Sequence, residues 1–177
     1  MGRISKEAVQ KILSQCKRPP QIYVETGLYN GAQIKIAADT KRFKKIIGIE
    51  LDPRFAAACQ RLVPTATIHC GDTRSLLPPL ARKLKEPVFW YLDAHYCATD
   101  PPIAKSAFPL WDELVSLRTR PPGDVIVIDD VHCFGKPRPD LLFRKSVPEW
   151  EGVTRTSIAS FLGAAGEVIG DGYVVWR

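Results

Sequence analysis

Two stretches of this sequence share a plan. WYLDAHYC (90–97) runs from apolar residues into Asp93 and then His95, and VIVIDDVHC (125–133) runs from apolar residues into Asp129, Asp130 and then His132. Each reads as a buried strand that leaves its charge at the tip. A carboxylate there can bind a cation, hold a proton or accept hydrogen bonds from hydroxyls. An imidazole beside it titrates near neutral pH and can serve as base, proton carrier or ligand. The chemistry open to the chain therefore depends on whether the two tips meet.

The elements that would bring them together follow from periodicity and punctuation. Ile4, Ala8, Ile12 and Leu13 have helical spacing, which predicts an amphipathic leading helix over 3–16, stopped by Pro19-Pro20. A short strand at 22–24 ends at Glu25, and after the turn TGLYNG a helix is predicted from Ala32 to Phe43. The strand at 46–49 ends at Glu50, and Asp52-Pro53 has the form of an N-cap followed by proline at the first helical position, opening a helix to Leu62. A strand at 66–70 ends at Gly71-Asp72, a helix over 75–84 carries Pro78-Pro79, and the strand at 88–92 ends at Asp93. Pro109 starts a helix bearing Leu110, Trp111, Leu114 and Leu117, and the strand at 124–128 ends at Asp129-Asp130. A helix over 154–162 and a hairpin in VIGDGYVVW, with an Asp-Gly turn, complete the chain.

Strands alternating with helices predict a parallel sheet covered by helices on both faces. Such sheets bind ligands beyond the carboxyl ends of their strands, where the strand order reverses. Glu25, Glu50, Asp72, Asp93, Asp129 and Asp130 all fall at those ends. The first turn, VETGLYNG, has Gly27 and Gly31 for a tight turn and close backbone approach. A dinucleotide-binding turn would read G-x-G-x-x-G without an acid before it, and Glu25 would repel a pyrophosphate. A cationic ligand suits the turn better. Glu50 can accept both hydroxyls of a ribose. Asp72 reads equally as acceptor for an adenine amino group and as N-cap of the next helix.

Taken together, ETGLYNG, IGIELD and CGD resemble the class I S-adenosylmethionine-dependent methyltransferases over roughly residues 20 to 130. The turn is closest to the catechol O-methyltransferase type, in which a tyrosine commonly lies between the two glycines, as Tyr29 does here. The resemblance implies a Rossmann-like α/β fold: a mostly parallel seven-stranded sheet, helices on both faces and a C-terminal antiparallel hairpin. It implies one domain over 1–177, with the leading helix in 1–18 and the core in 20–177. It also implies that Glu25, Gly27, Tyr29 and Gly31 line the methionine portion of S-adenosylmethionine, with Glu50 at the ribose and Asp72 at the adenine. Asp93 belongs to the same cofactor-facing set.

Strands four and five would be neighbours, and carboxylates meeting at one edge repel unless a proton or cation lies between them. Oxygen ligands suit Mg²⁺ or Ca²⁺. Metal-dependent O-methyltransferases of the catechol and macrocin types resemble this arrangement, which implies Asp93, Asp129 and Asp130 as metal ligands. In the catechol type a lysine follows the strand-four acid by three positions, where this chain has Tyr96. His95 is the nearest titratable group, and its reading as base stands beside that of an orienting group; Lys105 is a weaker candidate for base. The pairs His69-Cys70, His95/Cys97 and His132-Cys133 raise zinc, but adjacent strand residues face opposite ways, so zinc is disfavoured.

Bulk properties narrow the setting. The chain has 177 residues, 45% apolar and 25% charged, which suits one domain with a proper core. Cysteines 16, 59, 70, 97 and 133 form no CxxC pair, so neither a disulfide framework nor a zinc ribbon is expected. No apolar run approaches the ~18 residues of a membrane span, and no signal-peptide core opens the chain, so the expectation is a cytoplasmic protein without membrane contact. The net charge of +6 collects in Lys41–Lys45, Arg118/Arg120, Lys136/Arg138 and Arg144/Lys145. The last two lie in a loop on the ligand side of the sheet, where they read as a solvated run or as a contact to an anionic acceptor. The expected partner is a small hydroxylated molecule. A homodimer is left open. The alternatives are an RNA-directed methyltransferase or nucleic-acid-binding protein, disfavoured by the absence of an aromatic and basic stacking surface, and a non-catalytic cofactor-binding protein.

Overall fold

A computed structural model describes residues 3–95, 108–136, 138–139, 146–147 and 150–177. The strands in chain order are β1 (Ile22–Thr26), β2 (Lys45–Glu50), β3 (Thr67–Cys70), β4 (Val88–Leu92), β5 (Val125–Ile128), β6 (Arg138–Pro139), β7 (Ser146–Val147), β8 (Gly166–Ile169) and β9 (Gly172–Trp176). The helices are α1 (Lys6–Ser14), α2 (Ala32–Asp39), α3 (Pro53–Leu62), α4 (Thr73–Lys83), α5 (Leu110–Arg118) and α6 (Arg155–Leu162). Seven strands form one sheet in the order β3-β2-β1-β4-β5-β9-β8, and β6 and β7 pair separately. The first five are parallel, whereas β9 runs antiparallel to both β5 and β8. The expected mixed sheet with a terminal hairpin is therefore the observed one.

Strand order reverses between β1 and β4, and register continues past the strand tips. Asp93 N–H donates to the Thr26 carbonyl (3.1 Å), and Asp129 N–H donates to the Leu92 carbonyl (3.1 Å). Side chains alternate between two cores. Val24, Ile47, Trp90, Leu92, Ile126 and Val175 pack with Leu77, Leu114 and Ile158 of α4, α5 and α6. Tyr23, Phe89, Tyr91, Val127 and Val174 pack with Ile12, Ile34 and Cys59 of α1, α2 and α3. Both faces of the sheet are buried, which explains why the strands read as continuous apolar runs. Each large side chain fully removed from water contributes ~1.5–3 kcal/mol.

Several boundaries differ from expectation for local reasons. Helix α2 ends at Asp39, because Lys41 takes a left-handed φ of 56° and Phe43 turns in to pack on Tyr23 (5.1 Å) and Phe89 (5.6 Å). Helix α4 starts at Thr73, two residues early, because the Asp72 side chain caps it by accepting from Arg74 N–H (2.9 Å). The hairpin turn is Gly170-Asp171 and not Asp-Gly: Ile169 pairs with Gly172, and Gly170 holds φ 63°. Gly172 belongs to the strand, where a Cβ would lie 2.8 Å from Val127 Cγ1.

The far end of the sheet is tied by one buried ion pair. Arg120 Nε donates to Asp124 (2.8 Å), and its other nitrogens donate to the carbonyls of Ala81, Leu84 and Glu86. Asp124 also accepts from Trp90 Nε1 (2.8 Å) and Val88 N–H (2.9 Å). Arg120 is thus fully engaged inside the protein. Lys41, Arg42 and Lys44 are exposed before β2 and Lys45 is exposed at its start, at the end away from the acidic tips.

Candidate functional site

The tips of β1, β2, β4 and β5 gather the acids. Glu25 is buried, and Tyr23 hydroxyl donates to it (2.6 Å). Burial pushes its carboxyl well above the ordinary range, and the charges of Asp93, Asp129 and Glu50 push the same way against the Tyr23 bond. Glu50 is buried with both oxygens engaged: Tyr29 N–H donates to one (2.8 Å) and Asp52 N–H to the other (2.8 Å). The β1 turn is thereby bolted to the tip of β2. Tyr29 sits at φ 46° with its ring against Phe55 (4.8 Å), and the Cys59 thiol donates to its carbonyl (3.4 Å).

Gly27 is the tightest point. Its φ is 74°, and a Cβ there would lie 2.5 Å from the Asp93 carbonyl oxygen and 2.6 Å from Ala94 Cα. Gly31, also at φ 74°, starts α2 with Leu62 and Cys59 against it. Asp72 stands apart at the tip of β3, where Arg74 backbone and guanidinium engage both its oxygens.

At the β4–β5 edge, His95 lies between two carboxylates. Its Nε2 is 3.0 Å from Asp93 Oδ1 and 2.9 Å from Asp130 Oδ2. Burial alone would lower its pKa, but the hydrogen bonds and charges of Asp130 and Asp93 outweigh burial and hold it well above the ordinary value. The two carboxylates thereby fix the orientation of the His95 ring. Asp129 is buried, with Oδ1 lacking a hydrogen-bond partner, and burial together with the Asp93 charge raises it to about 7. Asp93, His95 and Asp130 offer ligand atoms within 4.8 Å of one another, and so do Asp130, His132 and Asp171. Among the described residues neither group contains a cysteine.

Three contributors escaped the sequence reading. Glu113 on α5 is 1% exposed, and its carboxyl is raised to about 7 by burial, opposed by the hydroxyls of Thr26 and Thr73. Its position on the apolar face with Leu110, Leu114 and Leu117 was the available signal. Trp150 meets His95 edge-on (5.8 Å) and packs on Phe108 (4.5 Å) and Phe134 (5.9 Å), forming an aromatic wall with no local signature. The sequence marks Asp171 only as a turn residue, yet it holds His132 Nδ1 at 2.9 Å. Tyr96, Cys97, Lys105 and the rest of 96–107, and Arg144/Lys145, lie outside the described residues, as does the Arg138 side chain.

No family model matches the sequence, and comparison with curated proteins finds no match. Solved structures do match. An O-methyltransferase from Bacillus cereus in complex with SAH aligns over 97% of this chain and 80% of its own, at 17% identity and a TM-score of 0.58. The Mg- and SAM-bound form of cmcI aligns over 97% of this chain and 70% of its own, at 18% identity and a TM-score of 0.53. This chain has the class I methyltransferase fold. It spans 47% of the length of a SAM-bound amino pentose methyltransferase from Micromonospora echinaspora, at 17% identity and a TM-score of 0.47. Within the methyltransferase fold, Glu25, Gly27, Tyr29, Gly31 and Glu50 are brought together beside the β1–β4 switch point. Asp93, His95, Asp129 and Asp130 converge next to them, and Asp72 occupies the neighbouring β3 tip. Among the described residues no helix is long and apolar enough to cross a membrane.

Proposed function

We propose that this protein transfers a methyl group from S-adenosylmethionine to a hydroxyl of a small molecule, with a divalent cation at the β4–β5 edge. The observation that carries the reading is Glu50. Its carboxylate is held by two backbone N–H groups, one of them from the very turn that contains Gly27 and Gly31. A fixed carboxylate with spare lone pairs next to a side-chain-free turn suits a ribose diol and an approaching cationic ligand. Glu25 is assigned to the cationic amino acid end. Asp72 is assigned to the adenine amino group through the lone pairs that Arg74 leaves.

The donors at the second edge fit a divalent cation. Asp93 and Asp130 lie within 4.8 Å of each other and of His95, and Asp129 adds a buried oxygen without a partner. A bound cation would lower the pKa of an acceptor hydroxyl. Asp93, Asp129 and Asp130 would hold it, and His95, released from the two carboxylates, would be free to accept a proton. The wall of Phe108, Phe134 and Trp150 would exclude water on that side. The Mg- and SAM-bound cmcI structure supports pairing this fold with such a cation.

Calorimetry with S-adenosylmethionine, with and without Mg²⁺, tests the proposal. Wild type should bind one molecule per chain, and Glu50→Ala should bind about 10–100-fold more weakly, the worth of a charged hydrogen-bond pair. No cofactor heat with folded wild type would sink the methyltransferase reading. Full cofactor binding with no response to Mg²⁺ would remove the cation alone.

A further inference from the structure

We propose that Tyr23 is a positioning residue for the cofactor: its hydroxyl aims the Glu25 carboxyl at the α-ammonium of S-adenosylmethionine. The inference rests on the cofactor reading of Glu25 and deepens it. Tyr23 and Glu25 lie two residues apart on β1, so their side chains leave the same face of the sheet. The Tyr23 hydroxyl donates to Glu25 Oε2 at 2.6 Å, at the short end of the O–H···O range. That bond uses one oxygen and leaves Oε1 for a ligand. Burial holds the Glu25 carboxyl well above the ordinary range, and an arriving ammonium supplies the opposite charge it lacks.

The hydroxyl is aimed by a locked ring. Tyr23 is fully buried, stacks on Phe89 (5.7 Å) and meets Phe43 (5.1 Å), and those two rings touch each other (5.6 Å). Phe43 comes from the segment that leaves α2 at the left-handed Lys41. Lys44 and Lys45 N–H hold that segment by donating to the Gln21 carbonyl (2.8 and 3.2 Å), immediately before β1. Gln33 of α2 is 4% exposed with neither amide atom hydrogen-bonded, and its amide lies near enough to act on the Tyr23 hydroxyl. A hydroxyl both donates and accepts, so an amide N–H facing its oxygen leaves its hydrogen to Glu25. Packing alone does not call for this pair. Burying a phenol and a carboxyl costs desolvation that a phenylalanine and an apolar neighbour would avoid. The pair stands at the tip of β1, with Glu25 two residues before Gly27 of the cofactor turn.

Calorimetry of the full chain with S-adenosylhomocysteine and with 5′-methylthioadenosine, which lacks the amino acid end, tests the inference. Tyr23→Phe keeps the ring in its aromatic contacts. It should weaken S-adenosylhomocysteine about 10-fold, the worth of a hydrogen bond to a charged group, and change 5′-methylthioadenosine by less than about twofold. Glu25→Gln should show the same selective loss, and the double variant should bind no more weakly than Glu25→Gln alone. Phe43→Leu, which frees the ring without touching the hydroxyl, should give a smaller loss of the same kind. If Tyr23→Phe weakens both nucleosides equally, or neither, Tyr23 does not position Glu25. Additive losses in the double variant would overturn the inference in the same way. A wild type that binds the two nucleosides equally well overturns the Glu25 assignment and this inference, and leaves the methyltransferase reading standing. A wild type that binds neither overturns all three.

Discussion

Glu113 illustrates how one buried acid couples the site to pH. Its carboxyl is lifted from 4.5 to about 7 by burial, with the Thr26 and Thr73 hydroxyls pulling it back. Because the folded state holds the proton more tightly than the unfolded state, the stability it contributes is complete below the unfolded value. That contribution is lost as pH rises towards and through about 7. The full span is on the order of 3 kcal/mol. Glu113→Gln should therefore flatten the decline in stability between about pH 4 and about pH 8 by roughly that amount. Urea unfolding of both proteins with chelator present measures it, and equal slopes would show that the carboxyl ionises normally. His95, raised by its two carboxylates, acts in the same direction at higher pH.

At the scale of elements, the β1–α2 turn and the tip of β4 touch without room for a side chain. Gly27→Ala places a Cβ 2.5 Å from the Asp93 carbonyl and keeps it at φ 74°. Left-handed strain and overpacking together should cost about 2–4 kcal/mol. Gly163 provides the control: its φ is 68°, but a Cβ there meets nothing within 4 Å. Gly163→Ala should cost only the backbone part, about 1–2 kcal/mol. Chemical denaturation would separate them, and similar losses at both sites would mean the Asp93 contact yields easily. The turn was legible from its glycines and the acid before it. The backbone it presses on lies more than sixty residues away in sequence, beyond any local pattern.

At the scale of the molecule, cofactor binding should report through global stability. At a concentration about 100 times its Kd, S-adenosylhomocysteine should stabilise the native state by ~2.7 kcal/mol. For a chain of this size that corresponds to a rise in melting temperature of roughly 5–10 °C. Glu50→Ala should melt cooperatively yet show about half that rise or less at the same ligand concentration. A wild type whose melting temperature ignores the ligand would count against the proposed function. The fold itself supplies the reason to expect coupling, because the Tyr29–Glu50 and Gly27–Asp93 contacts join the turn to two strands on opposite sides of β1.

The sequence by itself determined the alternation of strands and helices, the sheet class and the acids at the strand tips. These depend on periodicity, turn residues and chain order, which act within a few residues. Asp52 as N-cap, Glu50 at a strand tip and Asp93 beside Asp129-Asp130 were legible for that reason. Tertiary structure decided the rest. It set His95 between two carboxylates, turned Asp130 towards a second histidine, and capped α4 with Asp72. It also buried Glu113 beneath Thr26 and closed an aromatic wall with Trp150. Protonation and ligand geometry depend on burial and on distances of a few ångströms between groups remote in sequence. Only the folded chain sets those.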